Sequence, residues 1–358
     1  MFQQKCGKWI WYFENRESEF ELPEDPSSLL AGADIIKDTP MTLVFRKGGL
    51  FFKWEKKAAG GIRGYFKNRY FSRAGREYRT LCNLRRNGFY VTPPVGFAVS
   101  QEGCILVTGE VAGAVSVAEY IADCYGKNEP LCRDFLVSWG EFWGTFVQSG
   151  YYSPDFHCGN VLYVEREKRF ALVDLYGVRK PFRIRHKQQA RMIFRQLKDA
   201  MEFLSEAELI QVLKSAGVIG NNEQYAEFLD FYAGEAQALL LRRLRCFDEC
   251  NIRRRPFCRE WNFAETAYLE LPEEVIAEAW MKDFACQLHG IPHLHLLERN
   301  GTKLKMEKFC GEISAEEAEP LKKRVEAAGY DPASFGYCRN AGGRYAVCDG
   351  NIIASLRS

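Results

Sequence analysis

The feature that most limits the fold of this chain is a change of period near residue 110. Before it, short apolar runs alternate with glycine-bearing turns; after about residue 115, apolar residues recur at helical spacing. "MTLVFRKGGLFFKWEKK" reads as strand, turn and strand, with Gly48 and Gly49 at the turn. "SRAGREYRTLCNLRRNGF" follows as a helix, with Tyr78, Leu81, Cys82 and Leu84 on one side and Gly88 as its stop. "VTPPVGFAVSQEGCILVTGEV" gives two more strands around a Gln-Glu-Gly turn. This β,β,α,β,β order suits a small antiparallel sheet carrying one helix, while residues 1–40 look mixed.

Past a linker at about 107–113, "SVAEYIADCYG" and "LCRDFLVSWGEFWGTFVQSGY" read as helices, and "NVLYVE" and "RFALVDLYG" as strands. From "RKPFRIRHK" to "ALLLRRLRCFDEC" the pattern is almost continuously helical. In the tail, "HLHLLERNGTKLKMEKF" predicts a hairpin on an Asn-Gly turn, "SAEEAEPLKKRVEAAGY" a capped helix, and "GRYAVCDGNIIASL" closing strands. The expected architecture is α+β and bilobal: a β-rich lobe over 1–112, a mainly α lobe over 113–284, and a small appended α+β unit over 285–358.

A chain of 358 residues with 47% hydrophobic and 14% aromatic content can build such cores and is not of the disordered class. Its net charge of +2 hides an asymmetry: thirteen Lys or Arg lie between Arg46 and Arg86, against only Glu55 and Glu77. A basic face of that size favours phosphate, nucleic acid or an acidic membrane surface. No nucleic-acid motif accompanies it, so no nucleic-acid partner is expected. The thirteen cysteines follow no frame, the start has no signal-peptide core, and no run reaches transmembrane length. Reduced thiols and a cytoplasmic location are the expectation. Cys246, Cys250 and Cys258 hint at zinc but have no fourth ligand nearby. His289, His293 and His295 are interrupted by Gly290 and Pro292, and a surface loop is the expected setting.

The stretch "SPDFHCGNVLYVEREKRFALVDLYG" gathers Asp155, His157, Asn160 and Asp174 on a loop and hairpin. Asp155 and Asn160 are five apart, the interval by which kinase catalytic loops place a base and a metal-binding amide. The hairpin brings Asp174, after the apolar "FALV", back towards Asn160. Upstream, Lys53 lies on the second strand and Glu77 on the helix that follows, where it can pair with the lysine. Each residue has a plainer reading. Lys53 could be a solvated strand charge, Glu77 one partner among basic neighbours, and Asp155 and Asn160 loop caps. Asp174 is harder to set aside, because a carboxylate ending a buried strand needs a partner or a metal. The ordered set argues for phosphoryl transfer from ATP with Mg2+.

The motif "SPDFHCGNVL" resembles the catalytic loop D-x-H-x-x-N of small-molecule and sugar kinases of the protein-kinase-like superfamily. "ALVDLYGVRK" is similar to their metal-binding strand. With "FFKWEKK" and "SRAGREYRTLCNLRRNGFYVTPPVG", residues 35–260 resemble the lipopolysaccharide kinase family, which includes Kdo and core heptose kinases. The resemblance implies a protein-kinase-like fold, ATP and Mg2+, and transfer to a sugar hydroxyl of the lipopolysaccharide inner core at the cytoplasmic membrane face. The sequence departs from the pattern in four places. The phosphate loop is reduced to Gly48-Gly49, Ser153 stands where many kinases have His, the metal strand continues Asp-Leu-Tyr-Gly, and a basic insertion separates Lys53 from Glu77. The tail has no recognised counterpart.

On this reading Asp155 meets the acceptor hydroxyl, and Asn160 and Asp174 hold Mg2+. Lys53, fixed by Glu77, holds ATP phosphates together with the Gly48-Gly49 turn. His157 braces the loop, and Glu110 lies near the linker where backbone groups meet adenine. The partner is an anionic glycolipid or sugar, with peripheral membrane contact through the basic face. The rival readings are a pseudokinase or scaffold that binds membrane through that face, and a phosphotransferase for another small molecule or a protein.

Overall fold

The computed structural model describes residues 2–13, 23–56, 72–127, 129–183, 186–246 and 265–357. The chain divides into two compact units. The first comprises Met1–Ala114, Tyr151–Pro154 and Asn160–Pro181; the second comprises Val115–Gly150, Asp155–Gly159 and Phe182–Ser358.

The first unit is built on seven strands, β1 (Phe2–Cys6), β2 (Trp9–Phe13), β3 (Asp34–Asp38), β4 (Thr42–Lys47), β5 (Leu50–Glu55), β6 (Pro94–Ser100) and β7 (Gly103–Gly109), with helix α1 (Arg73–Arg86) between β5 and β6. They form one antiparallel sheet in the order β1-β2-β6-β7-β5-β4-β3. Residues 1–40, read from sequence as mixed, supply three of these strands. In "WIWYF" the alternation is carried by Trp9, Trp11 and Phe13, which are buried while Ile10 and Tyr12 are only partly so. An all-aromatic and aliphatic run hides a period of two, because both faces look apolar.

Trp9, Trp11 and Phe13 pack with Phe45, Phe52, Ala98, Ile105 and Val107 into one core. Strand alternation then sends the neighbours of these residues to the other face. Phe97 meets Tyr78 of α1 with ring centroids 5.3 Å apart. Lys53, next to Phe52, points to that same helix-bearing side.

The β4–β5 hairpin has a two-residue loop: Lys47 pairs with Leu50, and Gly48 and Gly49 between them have φ of 57° and 72°. Two successive left-handed residues define the type I′ turn that matches strand twist, which is why glycine occupies both positions. Helix α1 starts on Ser72, whose hydroxyl accepts from the Gly75 N–H at 3.0 Å. It stops where Phe89 N–H donates to Leu84 and Gly88 N–H to Arg85. The first unit is completed by an antiparallel hairpin of β8 (Val161–Val164) and β9 (Arg169–Leu172).

The second unit contains α2 (Val117–Gly126), α3 (Arg133–Gln148), α4 (His186–Leu197), α5 (Glu206–Ser215), α6 (Asn222–Cys246), β10 (Thr266–Glu270), α7 (Glu273–His289), β11 (Leu296–Asn300), β12 (Lys303–Glu307), β13 (Phe309–Glu312), α8 (Ala315–Ala327), β14 (Phe335–Asn340), β15 (Tyr345–Asp349) and α9 (Gly350–Arg357). Strands β10-β12-β11 and β13-β14-β15 form two antiparallel three-stranded sheets. Ile276 and Trp280 of α7, Leu304 and Met306 of β12, Ala346 of β15 and Ile352 and Ile353 of α9 share one core. Helix α8 carries a full capping box between Ser314 and Glu317.

The closing stretch is one strand followed by a helix, because Asp349 accepts from the Asn351 N–H and starts α9. Ile352 and Ile353, which suggested a strand, are instead the buried side of that helix. His289, His293 and His295 are not on a surface loop. Only His289 is half-buried, at the last turn of α7; His293 and His295 are 2% and 1% exposed.

Of the zinc candidates, Cys246 closes α6, and Cys250 and Cys258 lie outside the described residues. Ten described cysteines are free thiols. Among the described residues no helix is long and apolar enough to cross a membrane.

Candidate active site

In the first unit, Lys53 is flanked by two carboxylates. Its Nζ donates to Glu77 Oε2 at 3.2 Å and to Asp174 Oδ1 at 2.5 Å. The Lys53 side chain is 20% exposed and that of Glu77 only 4%, whereas Asp174 is about half exposed. Burial alone would lower the Lys53 pKa. The Glu77 and Asp174 charges outweigh it, so the ammonium is held above the ordinary lysine value. Burial raises the Glu77 pKa, opposed by the Lys53 charge. The basic insertion between Lys53 and Glu77 in sequence therefore does not prevent their meeting.

Glu77 does more than pair the lysine. Its other oxygen, Oε1, accepts the backbone N–H of Leu175 at 3.0 Å. One buried carboxylate thus fixes both the lysine and the residue after Asp174. Asp174 itself has φ 49°, a left-handed conformation uncommon outside glycine but better tolerated by Asp and Asn. Local backbone strain of this kind needs surrounding structure to hold it, and the Glu77–Leu175 bond lies one residue away.

Sequence reasoning missed the residues that complete this clamp. The Arg73 guanidinium lies 3.8 Å from the centroid of the Tyr176 ring, and Arg76 donates to the Tyr176 hydroxyl at 3.0 Å. The signal was present in "ALVDLYG", where Tyr follows Asp-Leu, opposite a helix that opens with two arginines on successive turns.

Asn160 sits at the foot of β8, and its backbone carbonyl accepts from Val173 N–H at 3.1 Å, so the hairpin pairs the Asn160 position with the residue before Asp174. At the Gly48-Gly49 turn, nothing lies within 4 Å of where a Cβ would stand. The Gly49 carbonyl accepts from the Glu110 N–H at 2.9 Å, and the Glu110 carboxylate is 3.2 Å from Arg46, which also holds Asp34. That backbone donor of Glu110 is therefore already engaged within the sheet. In the second unit, Asp155 Oδ1 and His157 Nε2 are 3.8 Å apart, within ion-pair range and too long for a hydrogen bond. Phe156 between them stacks on Phe146 of α3 at 4.6 Å, anchoring this loop segment.

The donors at Asn160 and Asp174 are oxygens, the chemistry that suits a hard cation such as Mg2+. No protein-family model matches the chain, and no curated protein does. Solved structures do resemble it. WaaP in complex with acyl carrier protein shares 14% identity over 58% of this chain and 93% of that one, with a TM-score of 0.43. Two structures of WbdD, one of them described as a bifunctional kinase-methyltransferase, each share 12% identity with TM-scores of 0.35. They match 51% and 52% of this chain, which spans 44% and 46% of theirs. These likenesses bear on no residue's role.

Proposed function

We propose that the chain transfers the γ-phosphoryl group of ATP, with Mg2+, to a sugar hydroxyl of an anionic glycolipid such as a lipopolysaccharide inner core. The observation that carries this reading is the Lys53–Glu77–Asp174 arrangement. A lysine kept charged in a largely buried place, beside an exposed carboxylate on a held turn, is what binding of a triphosphate and its metal requires.

Lys53 neutralises phosphate oxygens, and Glu77 keeps it extended towards them. Asn160 and Asp174 would hold Mg2+, which when bound would offset charge on the phosphates. Asp155 accepts the proton of the acceptor hydroxyl as that oxygen bonds phosphorus and ADP departs. His157 braces the Asp155 loop. The Gly48-Gly49 turn would leave room for phosphates, and the linker would face the adenine through groups other than the Glu110 N–H, which the Gly49 carbonyl holds. The exposed Arg73, Arg76 and Arg79 of α1, with Arg179 and Lys180 after Asp174, favour an anionic acceptor and contact with an acidic membrane surface. An antibiotic-like cationic sugar would want an acidic pocket instead.

One observation favours a second reading, a non-catalytic scaffold. The Lys53–Asp174 bond already engages one of the two oxygens of the carboxylate that would meet the metal. Transfer from radiolabelled ATP to a panel of core oligosaccharides, lipids and proteins distinguishes the two. Label in an oligosaccharide or glycolipid supports the kinase; no label in any acceptor, with no thermal shift at millimolar Mg-ATP, supports the scaffold.

A further inference from the structure

The second unit contains a buried cluster that phosphoryl transfer does not use. Val347 N–H donates to Pro292 and Leu294 N–H to Val347, so residues 292–295 run alongside β15 as a short extended segment. Extended backbone puts Leu294 into the hydrophobic core and leaves His293 and His295 side by side on the other face. Their rings lie 4.4 Å apart.

Three acids converge on this pair. Glu202, in a 3-10 turn at Met201–Phe203, places Oε2 3.0 Å from His293 Nδ1 and 3.2 Å from His295 Nε2. Asp283 of α7 has Oδ1 3.3 Å from His293 Nε2, and Glu307 of β12 has Oε2 3.0 Å from His295 Nδ1. All five residues are 5% exposed or less.

We propose that Glu202, His293 and His295 bind a zinc-class divalent cation as a closed structural site. Their ligand atoms all lie within 4.8 Å of one another. The assignment rests on how the two rings face Glu202. His295 turns Nε2 to Glu202 while its Nδ1 meets Glu307, the carboxylate–imidazole–metal relay that fixes tautomers in metal sites. His293 turns Nδ1 to Glu202, and its Nε2 lies 3.3 Å from Asp283 without a hydrogen bond.

An all-protein ion-pair network explains the same cluster less well. It leaves Glu202 Oε1 and His293 Nε2 buried without a hydrogen bond. A cation beside them takes Oε1 as a further ligand. The carbonyl of Ile291 lies 2.9 Å from His293 Nδ1, an acceptor that competes with the ion for that nitrogen. Two imidazoles with oxygen donors and no thiolate fit zinc better than Mg2+ or a soft ion. Such an ion would join α7, β12, the 292–295 segment and the turn at Glu202, which are far apart in sequence.

The test is metal analysis and zinc-edge X-ray absorption of the full chain purified with zinc. The spectrum matters because the many free thiols could bind zinc adventitiously. The expected result is about one equivalent retained after gel filtration, imidazole scattering and no sulfur shell near ~2.3 Å. A chelator should lower the melting temperature by about 5 °C or more. Glu202→Gln and His293→Gln should lose the equivalent. If either fails to fold, the spectrum of the parent chain still decides. Less than about a tenth of an equivalent, or a sulfur-dominated spectrum, overturns the site. None of these readouts depends on turnover.

Discussion

Glu77 Oε1 accepts the backbone N–H of Leu175 at 3.0 Å, so a helix residue holds the chain at the position next to Asp174. The same carboxylate holds Lys53 through its other oxygen. Glu77→Gln keeps an oxygen for Leu175 but loses the negative charge facing Lys53; Glu77→Ala loses both. Charge-assisted bonds contribute about 1.5–3 kcal/mol. The KM for ATP should therefore rise about 10- to 100-fold in Glu77→Gln. In Glu77→Ala kcat should fall as well, because the turn at Asp174 is released. Steady-state kinetics of the two variants side by side would show the split; identical defects would mean the Leu175 bond positions nothing.

Asp174→Asn should remove turnover by at least about 1,000-fold, because the carboxylate proposed to hold the cation loses its charge. The fold should survive. Asn tolerates the left-handed conformation at φ 49° better than any other non-glycine residue. A melting temperature within a few degrees of the parent checks the second half. Asp174→Val, which resists that conformation, should melt lower.

The Lys53 ammonium carries a pH signature. Its folded pKa is raised, so the stability it contributes is fully present below the ordinary lysine value of 10.5 and is lost as pH rises through the folded value. Burial pulls the other way and is the largest single influence. Removing the Glu77 charge should therefore move the Lys53 pKa downward, and the high-pH loss of stability should begin earlier. A carbon-13 titration of the lysine Cε in parent and Glu77→Gln reads this directly. An unchanged or raised value would contradict it.

In the second unit, a Cβ at Gly140 of α3 would stand 2.5 Å from the Val212 carbonyl and 2.7 Å from Ser215 Cβ of α5. The two helices approach only because that position has no side chain. Gly140→Val should cost about 1–3 kcal/mol through forced separation, despite removing a flexible glycine from a helix interior. Urea unfolding would show the midpoint shift, and a neutral result would mean α3 and α5 are not held this closely.

What the sequence made legible followed local rules. The Gly48-Gly49 hairpin, the capped helix at Arg73–Arg86 and the strand pair around Arg169 each have a turn or cap chemistry readable within a few residues. Lys53 and Glu77 were legible as a pair because strand and helix follow one another in order. The first hairpin was obscured by "WIWYF", where every residue is apolar and the period is hidden. His293 and His295 were misplaced for a different reason. Gly290 and Pro292 rightly ended the helix, but the partners that bury the pair are Glu202, Asp283 and Glu307, and no local pattern links them. The Arg73–Tyr176 contact is likewise a meeting across about a hundred residues.

The proposed function requires that Lys53, Glu77 and Asp174 form a nucleotide-phosphate site. Its most direct measurement is Mg-ATP binding by calorimetry for the parent chain, Lys53→Ala and Asp155→Asn. Binding by the parent should require Mg2+, Lys53→Ala should lose at least about tenfold, and Asp155→Asn, whose proposed partner is the acceptor hydroxyl, should keep nearly unchanged affinity. Equal affinity in the parent and Lys53→Ala, or no binding by the parent with Mg2+ present, would contradict it.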